Sequence, residues 1–353
     1  MFFKQNKETC MEREIFEQPE ILRHIIETGI SENGEIMLDI PHDADKFILV
    51  ASGSSYHSAR FAADLFGNIA NLEARAIYSS EFMLKSAVPH AENVLYIFIT
   101  QSGETSDTNK ALKKAKQFGV RTLCVTNKKN STIWNESDFR VDCSAGEEKS
   151  IAATKSLTAQ MLCLALIVLK YASLKGIDIS GYIKDLTRLS EFVEKTFTLR
   201  PRIKELAKFL TKYKNTVITA DGISYALAKE MCLKIKETSY LNVTASILGE
   251  FMHGHAAVLN NNKSLLIYIN AGTLANATEK NLNTLKKDYN PPICIIGSTD
   301  NKIKPEYNID ITGKSELLKS FAIIVICQIL ALETAMILHR NVDKPKGLHK
   351  VVV

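Results

Sequence analysis

The sequence lacks the compositional features of a nucleic-acid-binding or disordered protein. Its 44 lysine and arginine residues are nearly balanced by 39 aspartate and glutamate residues, which leaves a net charge of +5 over 353 residues. So small an excess of positive charge is not the basic surface that a nucleic-acid-binding protein needs, although it suits an anionic substrate. Hydrophobic residues make up 46% and charged residues 24%, a globular composition. We therefore predict a folded protein with no nucleic-acid partner.

Paired cysteines and an export signal are also missing. The seven cysteines are odd in number and never form a Cys-x-x-Cys pair, and most have apolar neighbours, as Cys124 and Cys294 do. We expect buried, reduced thiols, which are typical of a reducing compartment. Residues 1–7 contain no apolar segment followed by a cleavage site, so we expect a cytoplasmic protein.

Uninterrupted apolar runs long enough for a membrane are scarce. Residues 317–338 approach that length, but Lys319, Gln328 and Glu333 interrupt them. Residues 161–169 are apolar but too short. We predict that both segments are buried helices and that the chain has no membrane partner.

Short apolar runs alternate with stretches of helical spacing in the first half of the chain. This alternation predicts βαβ units, and hence an α/β fold with a doubly wound parallel sheet and helices on both faces. The predicted strands are residues 47–51, 74–78, 94–99 and 122–125, and the predicted helices are residues 57–70 and 106–118.

The same pattern recurs in the second half. Residues 215–225 repeat residues 46–56 in strand, glycine turn and Ser-Tyr pair, and residues 264–297 repeat the elements that follow. A duplicated domain explains this, with the copies joined by a helical stretch over roughly residues 152–211. The predicted division is a helical segment (1–45), a first domain (46–172), a linker helix with the second domain (173–338), and a tail that closes the site (339–353).

Hydroxyl-rich loops follow two predicted strands at equivalent positions. Residues 52–55 are Ser-Gly-Ser-Ser and residues 100–105 are Thr-Gln-Ser-Gly-Glu-Thr. Either loop alone could consist only of helix caps and turns, but together, at the carboxyl ends of parallel strands, they favour a phosphate site. The residues assigned to phosphate are Ser54, Ser55, Thr100, Gln101, Ser102 and Thr105.

The second copy has lost most of these hydroxyls, since residues 270–275 are Asn-Ala-Gly-Thr-Leu-Ala. We predict that one copy binds the ligand and the other is mainly scaffold. Neither loop matches a dinucleotide or P-loop fingerprint, and no cofactor is expected.

Three motifs occur in the order and spacing of a known family: residues 51–56 (Ala-Ser-Gly-Ser-Ser-Tyr), 101–105 (Gln-Ser-Gly-Glu-Thr) and 152–155 (Ala-Ala-Thr-Lys). The chain resembles the sugar isomerase (SIS) domain family in these motifs. More narrowly, it is similar to the isomerase half of glutamine–fructose-6-phosphate aminotransferase (glucosamine-6-phosphate synthase), from residues 14–19 to 343–350. That enzyme's amino-terminal glutaminase domain has no counterpart in this sequence.

This resemblance implies a sugar phosphate substrate and tandem SIS domains. It implies a phosphosugar isomerase, or an amino-sugar-phosphate deaminase or deglycase. Such an enzyme acts by ring opening and C1/C2 proton transfer on a hexose-6-phosphate derivative such as glucosamine 6-phosphate or fructose 6-phosphate. The alternative is a non-catalytic phosphosugar sensor, which would need the hydroxyl loops but no acid–base residues.

Charged residues at helical spacing supply candidates for the chemistry. Glu230, Lys234 and Glu237 share one helical face, and spacing alone would favour a surface salt-bridge ladder. The resemblance instead implies that Glu237 is the C1/C2 proton-transfer base, Lys234 the oxyanion partner and Glu230 a support.

The resemblance adds two further candidates. It implies that His253 is the ring-opening acid and base, contributed by a neighbouring subunit of a homodimer, and that Lys350 forms a Schiff base with the open-chain carbonyl. His253 and His255 could suggest a metal, but no third ligand stands at suitable spacing, so none is predicted.

The resemblance also places Ile151, Ala152, Ala153 and His349 at the substrate. Ala153 replaces the usual serine and His349 replaces a small residue. Met252 and His255 depart from the synthase pattern as well. These departures indicate that the sugar, or its substituent at C1 or C2, differs from that of the synthase.

Overall fold

The computed structural model describes residues 8–88, 92–260, 263–298 and 303–350. Within these residues the chain forms two five-stranded sheets, and every strand pairing in them is parallel. The first sheet has the order β2-β1-β3-β4-β5. Its strands are β1 (Lys46–Ala51), β2 (Glu73–Tyr78), β3 (Val94–Thr100), β4 (Arg121–Thr126) and β5 (Phe139–Asp142).

The second sheet repeats this topology. Read from its other edge, its order is β7-β6-β8-β9-β10, which matches the first sheet strand for strand. The predicted duplication and the predicted α/β fold are therefore confirmed. The strands are β6 (Asn215–Ala220), β7 (Val243–Ile247), β8 (Ser264–Asn270), β9 (Ile293–Gly297) and β10 (Tyr307–Ile309).

Burial explains which strands the sequence reveals. The central strands β3 and β8 are buried along their whole length, because helices cover both faces, and they therefore form continuous apolar runs. The strands that the sequence did not predict, β5, β7 and β10, all lie at sheet edges. They are short and partly exposed, so they carry little apolar signal.

Helices surround both sheets and form the connection between them. The connection is not one continuous helix: Gly176, in the left-handed region at φ 76°, follows the end of its first helix, and Pro201 lies in the first turn of its last. In chain order the helices are α1 (Cys10–Phe16), α2 (Gln18–Gly29), α3 (Gly53–Leu65), α4 (Ser79–Leu84), α5 (Ser106–Gln117), α6 (Thr132–Glu136), α7 (Lys155–Leu174), α8 (Ser180–Leu186), α9 (Leu189–Thr196), α10 (Arg200–Leu210), α11 (Ser224–Ser239), α12 (Leu248–Phe251), α13 (Asn276–Tyr289) and α14 (Glu316–Ile337).

The two most apolar helices lie in the core. By length and composition α7 and α14 could each span a membrane, but 83% and 89% of their most apolar segments are buried inside the protein. Helix α14 packs on α10 and α11, and α7 packs on α2 and α3. Both are buried helices, as the sequence predicts, and together they form much of the core between the two sheets. All seven cysteines are free thiols and six are buried.

Candidate active site

A cavity of about 410 Å³ lies where β1 and β3 end. The starts of α3 and α5 form one side of it, α11 another, and residues 347–350 of the tail cover it. It gathers most of the residues that the sequence nominated. Those lining it are Ser54, Ser55, Thr100, Gln101, Ser102, Thr105, Ile151, Ala153, Lys234, Glu237, His349 and Lys350.

Three nominated residues do not line this cavity. Ala152 is fully buried, so only its neighbours Ile151 and Ala153 reach the surface of the cavity. Glu230 lies behind the wall and contacts Lys234, with 3.6 Å between Lys234 Nζ and Glu230 Oε1. His253 is exposed in the turn after α12 and lies away from the cavity of its own chain.

The conformation of the loop after β3 depends on a glycine and on hydrogen bonds within the loop. Gly103 has φ 69°, and a Cβ there would lie 2.0 Å from Ser131 Oγ, so only glycine fits. The Thr100 and Thr105 hydroxyl oxygens are 2.8 Å apart. Ser102 Oγ accepts a hydrogen bond from the Glu104 amide at 3.1 Å.

The carboxylate in this loop is directed away from the cavity. Glu104 accepts hydrogen bonds from the Thr132 amide and hydroxyl, both at 2.8 Å, and these bonds lower its pKa. Because the Glu104 charge is held away from the cavity, the loop itself presents hydroxyls to a ligand, an arrangement that suits an anion. Asp107, in the first turn of α5, also lines the cavity.

The loop after β1 connects the anion site to α11. Ser54 lines the cavity, but its hydroxyl donates to Glu230 Oε1 at 2.9 Å. It therefore links the hydroxyl loop to the charged residues of α11. Ser55 also lines the cavity.

Charged side chains on α11 form a buried series of contacts that leads to the cavity. Burial would lower the pKa of Lys234, but the carboxylates of Glu237 and Glu230 outweigh it and raise that pKa. Burial likewise would raise the pKa of Glu230, yet Lys234 and hydrogen bonds from His57 and Ser54 lower it. Glu237, whose side chain is 23% exposed, contacts Lys234 and faces the cavity. This is not a surface ladder, because Lys234 and Glu230 are each 1% exposed.

Two site residues escaped sequence reasoning. His57 on α3 is buried, and its Nδ1 lies 2.6 Å from Glu230 Oε2. Glu148 lines the cavity and lies 2.5 Å from Lys350 Nζ. His57 and Glu230 are 173 positions apart in the sequence, and Glu148 and Lys350 are 202 positions apart. Only the fold brings the members of each pair together.

Glu148 holds the tail lysine and the loop beneath it. Its carboxylate accepts from the Thr154 amide at 2.8 Å and the Ser156 hydroxyl at 2.7 Å, and Lys350 also donates to the Ser150 carbonyl. Burial would raise the pKa of Glu148, but the Lys350 ammonium and these hydrogen bonds lower it.

The tail is fixed by the start of the chain. The Asp343 carboxylate accepts from the amides of Cys10 and Met11, both at 2.9 Å, and thereby caps α1. Further along, the Lys346 amide donates to the Tyr240 hydroxyl at 2.7 Å. Residues 351–353 of the predicted tail lie outside the described residues.

At the equivalent edge of the second sheet, a carboxylate stands where the first copy has a serine. Asp221 stands where the first copy has Ser52, and its carboxylate accepts from Thr278 at 3.0 Å and Tyr268 at 3.3 Å. A carboxylate at this position repels an anion, in keeping with the prediction that this copy is scaffold. Within the described part of the chain, no group of three His, Cys, Asp or Glu side chains is placed to hold a metal ion.

Known proteins share both the sequence motifs and the fold. The SIS domain family matches residues 42–170 and 209–338. The chain belongs to the SIS domain family. The two matched segments correspond to the two sheets with their surrounding helices.

Curated relatives narrow this assignment. Glutamine–fructose-6-phosphate aminotransferase (isomerizing) of Methanococcus maripaludis is 32% identical over 99% of this chain and 57% of its own length. The Methanocaldococcus jannaschii protein of that name is 33% identical over 97% of this chain and 31% of its length. The chain thus spans between about a third and three fifths of the length of these relatives.

Solved structures agree with the fold. The C-terminal domain of glucosamine-fructose-6-phosphate aminotransferase from Francisella tularensis superposes with a TM-score of 0.90 at 25% identity, covering 97% of this chain and all of that domain. Glucosamine-6-phosphate deaminase from Thermotoga maritima has a TM-score of 0.78 at 21% identity, covering 98% of this chain and 99% of its own. This SIS protein is therefore related to the isomerase domain of the aminotransferase and shares its fold with a deaminase.

Proposed function

We propose that this protein is a phosphosugar isomerase or amino-sugar-phosphate deaminase that acts on a hexose-6-phosphate derivative such as glucosamine 6-phosphate or fructose 6-phosphate. The observation that carries the proposal is that one cavity joins the hydroxyl loops to the Lys234–Glu237 pair and Lys350. The similarity to aminotransferases and the fold shared with a deaminase support it.

The phosphate end of the substrate lies against the two loops. Hydroxyls of Ser55, Ser102 and Thr105 and the start of α5 supply donors, and Glu104 does not compete because it is bonded to Thr132. Asp107, in the first turn of α5, also lines the cavity. The sugar then extends toward Lys234, Glu237 and the tail.

Proton transfer takes place at the other end of the cavity. With the sugar ring open, Glu237 takes the proton from C2 of a 2-amino aldehyde and returns it to C1. A second proton passes from the nitrogen to the C1 oxygen, which gives a 2-imine, and water hydrolyses this imine to fructose 6-phosphate and ammonia. The Lys234 ammonium, buried between two carboxylates, faces the oxygen that gains negative charge.

Lys350 can react with the open-chain carbonyl. Once its ammonium loses a proton, the amine adds to the carbonyl carbon, and loss of water gives an imine, which hydrolysis later returns to the free amine and the carbonyl. Glu148 keeps Nζ at the edge of the cavity until the substrate arrives.

We also propose a cytoplasmic homodimer with shared active sites. Ring opening needs an acid, and His253 is exposed and lies outside the cavity of its own chain. A second copy could present it to the cavity. The free thiols support a reducing compartment.

Turnover assays test the proposal directly. The protein would be incubated with glucosamine 6-phosphate, with fructose 6-phosphate plus ammonia, and with an Amadori-type amine sugar phosphate, while sugar products and free ammonia are followed. We expect turnover of one of these, and a loss of about 10²- to 10⁴-fold in kcat with Glu237→Gln, because that change removes the proposed base. Tight binding of all three without turnover would contradict the enzyme and favour the phosphosugar sensor.

A further inference from the structure

We propose that His57 is a positioning residue for the proposed reaction: through Glu230 it holds Lys234 beside Glu237. The inference rests on the function proposed above. It concerns a residue that lies outside the cavity lining and carries none of the roles assigned so far.

The geometry is a chain of contacts across the two domains. His57 Nδ1, on α3 of the first domain, lies 2.6 Å from Glu230 Oε2 on α11 of the second. The other carboxylate oxygen, Oε1, accepts from Ser54 at 2.9 Å and lies 3.6 Å from Lys234 Nζ. Lys234 in turn contacts Glu237.

The hydrogen bond between His57 and Glu230 is important for the position of Lys234 because all three residues are buried. Glu230 and Lys234 are each 1% exposed and His57 is 7% exposed, so water cannot replace a lost donor. Hydrogen bonds to buried charged groups are among the strongest in proteins. Without His57, the Glu230 carboxylate would satisfy its lost donor by drawing the Lys234 ammonium toward itself and away from Glu237.

The repeat indicates that the domain does not need histidine at this position. Residues 46–56 correspond to residues 215–225, so His57 corresponds to Ala226 in the second copy. Ala226 occupies the same place at the start of its helix and is buried. The histidine therefore occurs only in the copy that carries the cavity, where a partner carboxylate is present.

Three substitutions at this position separate positioning from packing. Asn places its side-chain nitrogen near the position of imidazole Nδ1, Gln carries the same group one methylene further out, and Leu fills similar volume without a donor. We expect His57→Leu and His57→Gln to lower kcat roughly 10- to 100-fold while KM stays within about threefold of the original value. His57→Asn should restore most of the loss. Circular dichroism and thermal unfolding would verify that each variant is folded.

The outcomes distinguish this inference from the function on which it rests. If the unmodified protein turns over substrate and His57→Leu keeps its kcat, or changes KM alone, the inference is wrong and the function stands. If the unmodified protein is inactive, crystal structures decide: displacement of Lys234 from Glu237 in His57→Leu but not in His57→Asn supports positioning. Unchanged Glu230 and Lys234 in the Leu variant would overturn it.

Discussion

At the scale of single residues, the site depends on charges that are buried and matched. Glu148, whose side chain is fully buried, accepts from Lys350, Thr154 and Ser156. A buried carboxylate is tolerated only with such partners, and in return it fixes both the tail lysine and the 148–156 segment. Neighbouring residues in the sequence gave no sign of this role, because Glu147 and Glu148 look alike there and only one is buried.

Substituting Glu148 should produce a pH-dependent loss of stability. The pKa of Glu148 is lowered in the folded protein, so its stabilising contribution is present above its unfolded pKa and is lost as pH falls through the folded value. Glu148→Gln should cost about 1.5–3 kcal/mol at pH 7. Urea unfolding at several pH values measures this.

The difference in unfolding free energy between the unmodified protein and the Glu148→Gln variant should shrink as pH falls below about 4. The exposed neighbour provides a matched control, since Glu147→Gln should change stability little at any pH. An equal loss for Glu148→Gln at neutral and acid pH would contradict an electrostatic origin.

At the scale of elements, two glycine turns shape the anion site in different ways. Gly53 and Gly103 both have positive φ. A Cβ on Gly53 would meet no atom within 4 Å, whereas one on Gly103 would meet Ser131 Oγ and Cβ at 2.0 and 2.3 Å. One turn needs glycine for its backbone angle only, and the other needs it for space as well.

Alanine at these two positions should therefore differ in cost. Gly53→Ala should lose about 1–2 kcal/mol from backbone strain, while Gly103→Ala should lose about 2–5 kcal/mol because steric overlap is added. Urea unfolding measures stability, and isothermal titration with glucosamine 6-phosphate measures binding. Equal costs at the two positions would show that the loop after β3 relaxes away from Ser131.

The tail is a second element, and its attachment to α1 depends on one side chain, Asp343. Asp343→Ala removes both acceptors at the start of α1 and should cost about 0.5–2 kcal/mol. It should also speed amide exchange in residues 343–350, as followed by hydrogen–deuterium exchange. Asp343→Asn keeps one acceptor and should lie between. Unchanged exchange in the Ala variant would mean that contacts such as Lys346 with Tyr240 hold the tail alone.

At the scale of the whole molecule, one fold is used twice for different purposes. The two sheets have equivalent strand orders, but the hydroxyl loops belong to the first, and α11, the proposed acid–base helix, belongs to the second. The cavity lies where α3 of the first domain and α11 of the second pack together. The proposed homodimer would add a third contribution, from His253.

Complementation between inactive variants tests that assembly. His253→Ala and Glu237→Gln should each be inactive alone, and mixing them under conditions that allow subunit exchange should restore part of the activity. In a mixed dimer with shared sites, one site carries both substitutions and the other carries neither. A monomer by analytical ultracentrifugation, or no recovery after verified exchange, would contradict shared sites.

The sequence by itself determined the repeated α/β pattern and the hydroxyl loops. Buried parallel strands must be apolar throughout, and a strand followed by glycine and hydroxyl residues is a local signal, so both are readable without a structure. The edge strands β5, β7 and β10 lacked that signal, since exposure removes the demand for apolar side chains.

Only the tertiary structure decided which charges belong together. His57 meets Glu230, and Glu148 meets Lys350, across more than 170 positions of sequence. The ladder on α11 proved to be buried because α14 and α3 cover that helix, which spacing along α11 cannot reveal. The local sequence pattern indicates which face of each helix or strand must be buried. The partners of a buried charge are instead set by packing between elements that are distant in the sequence.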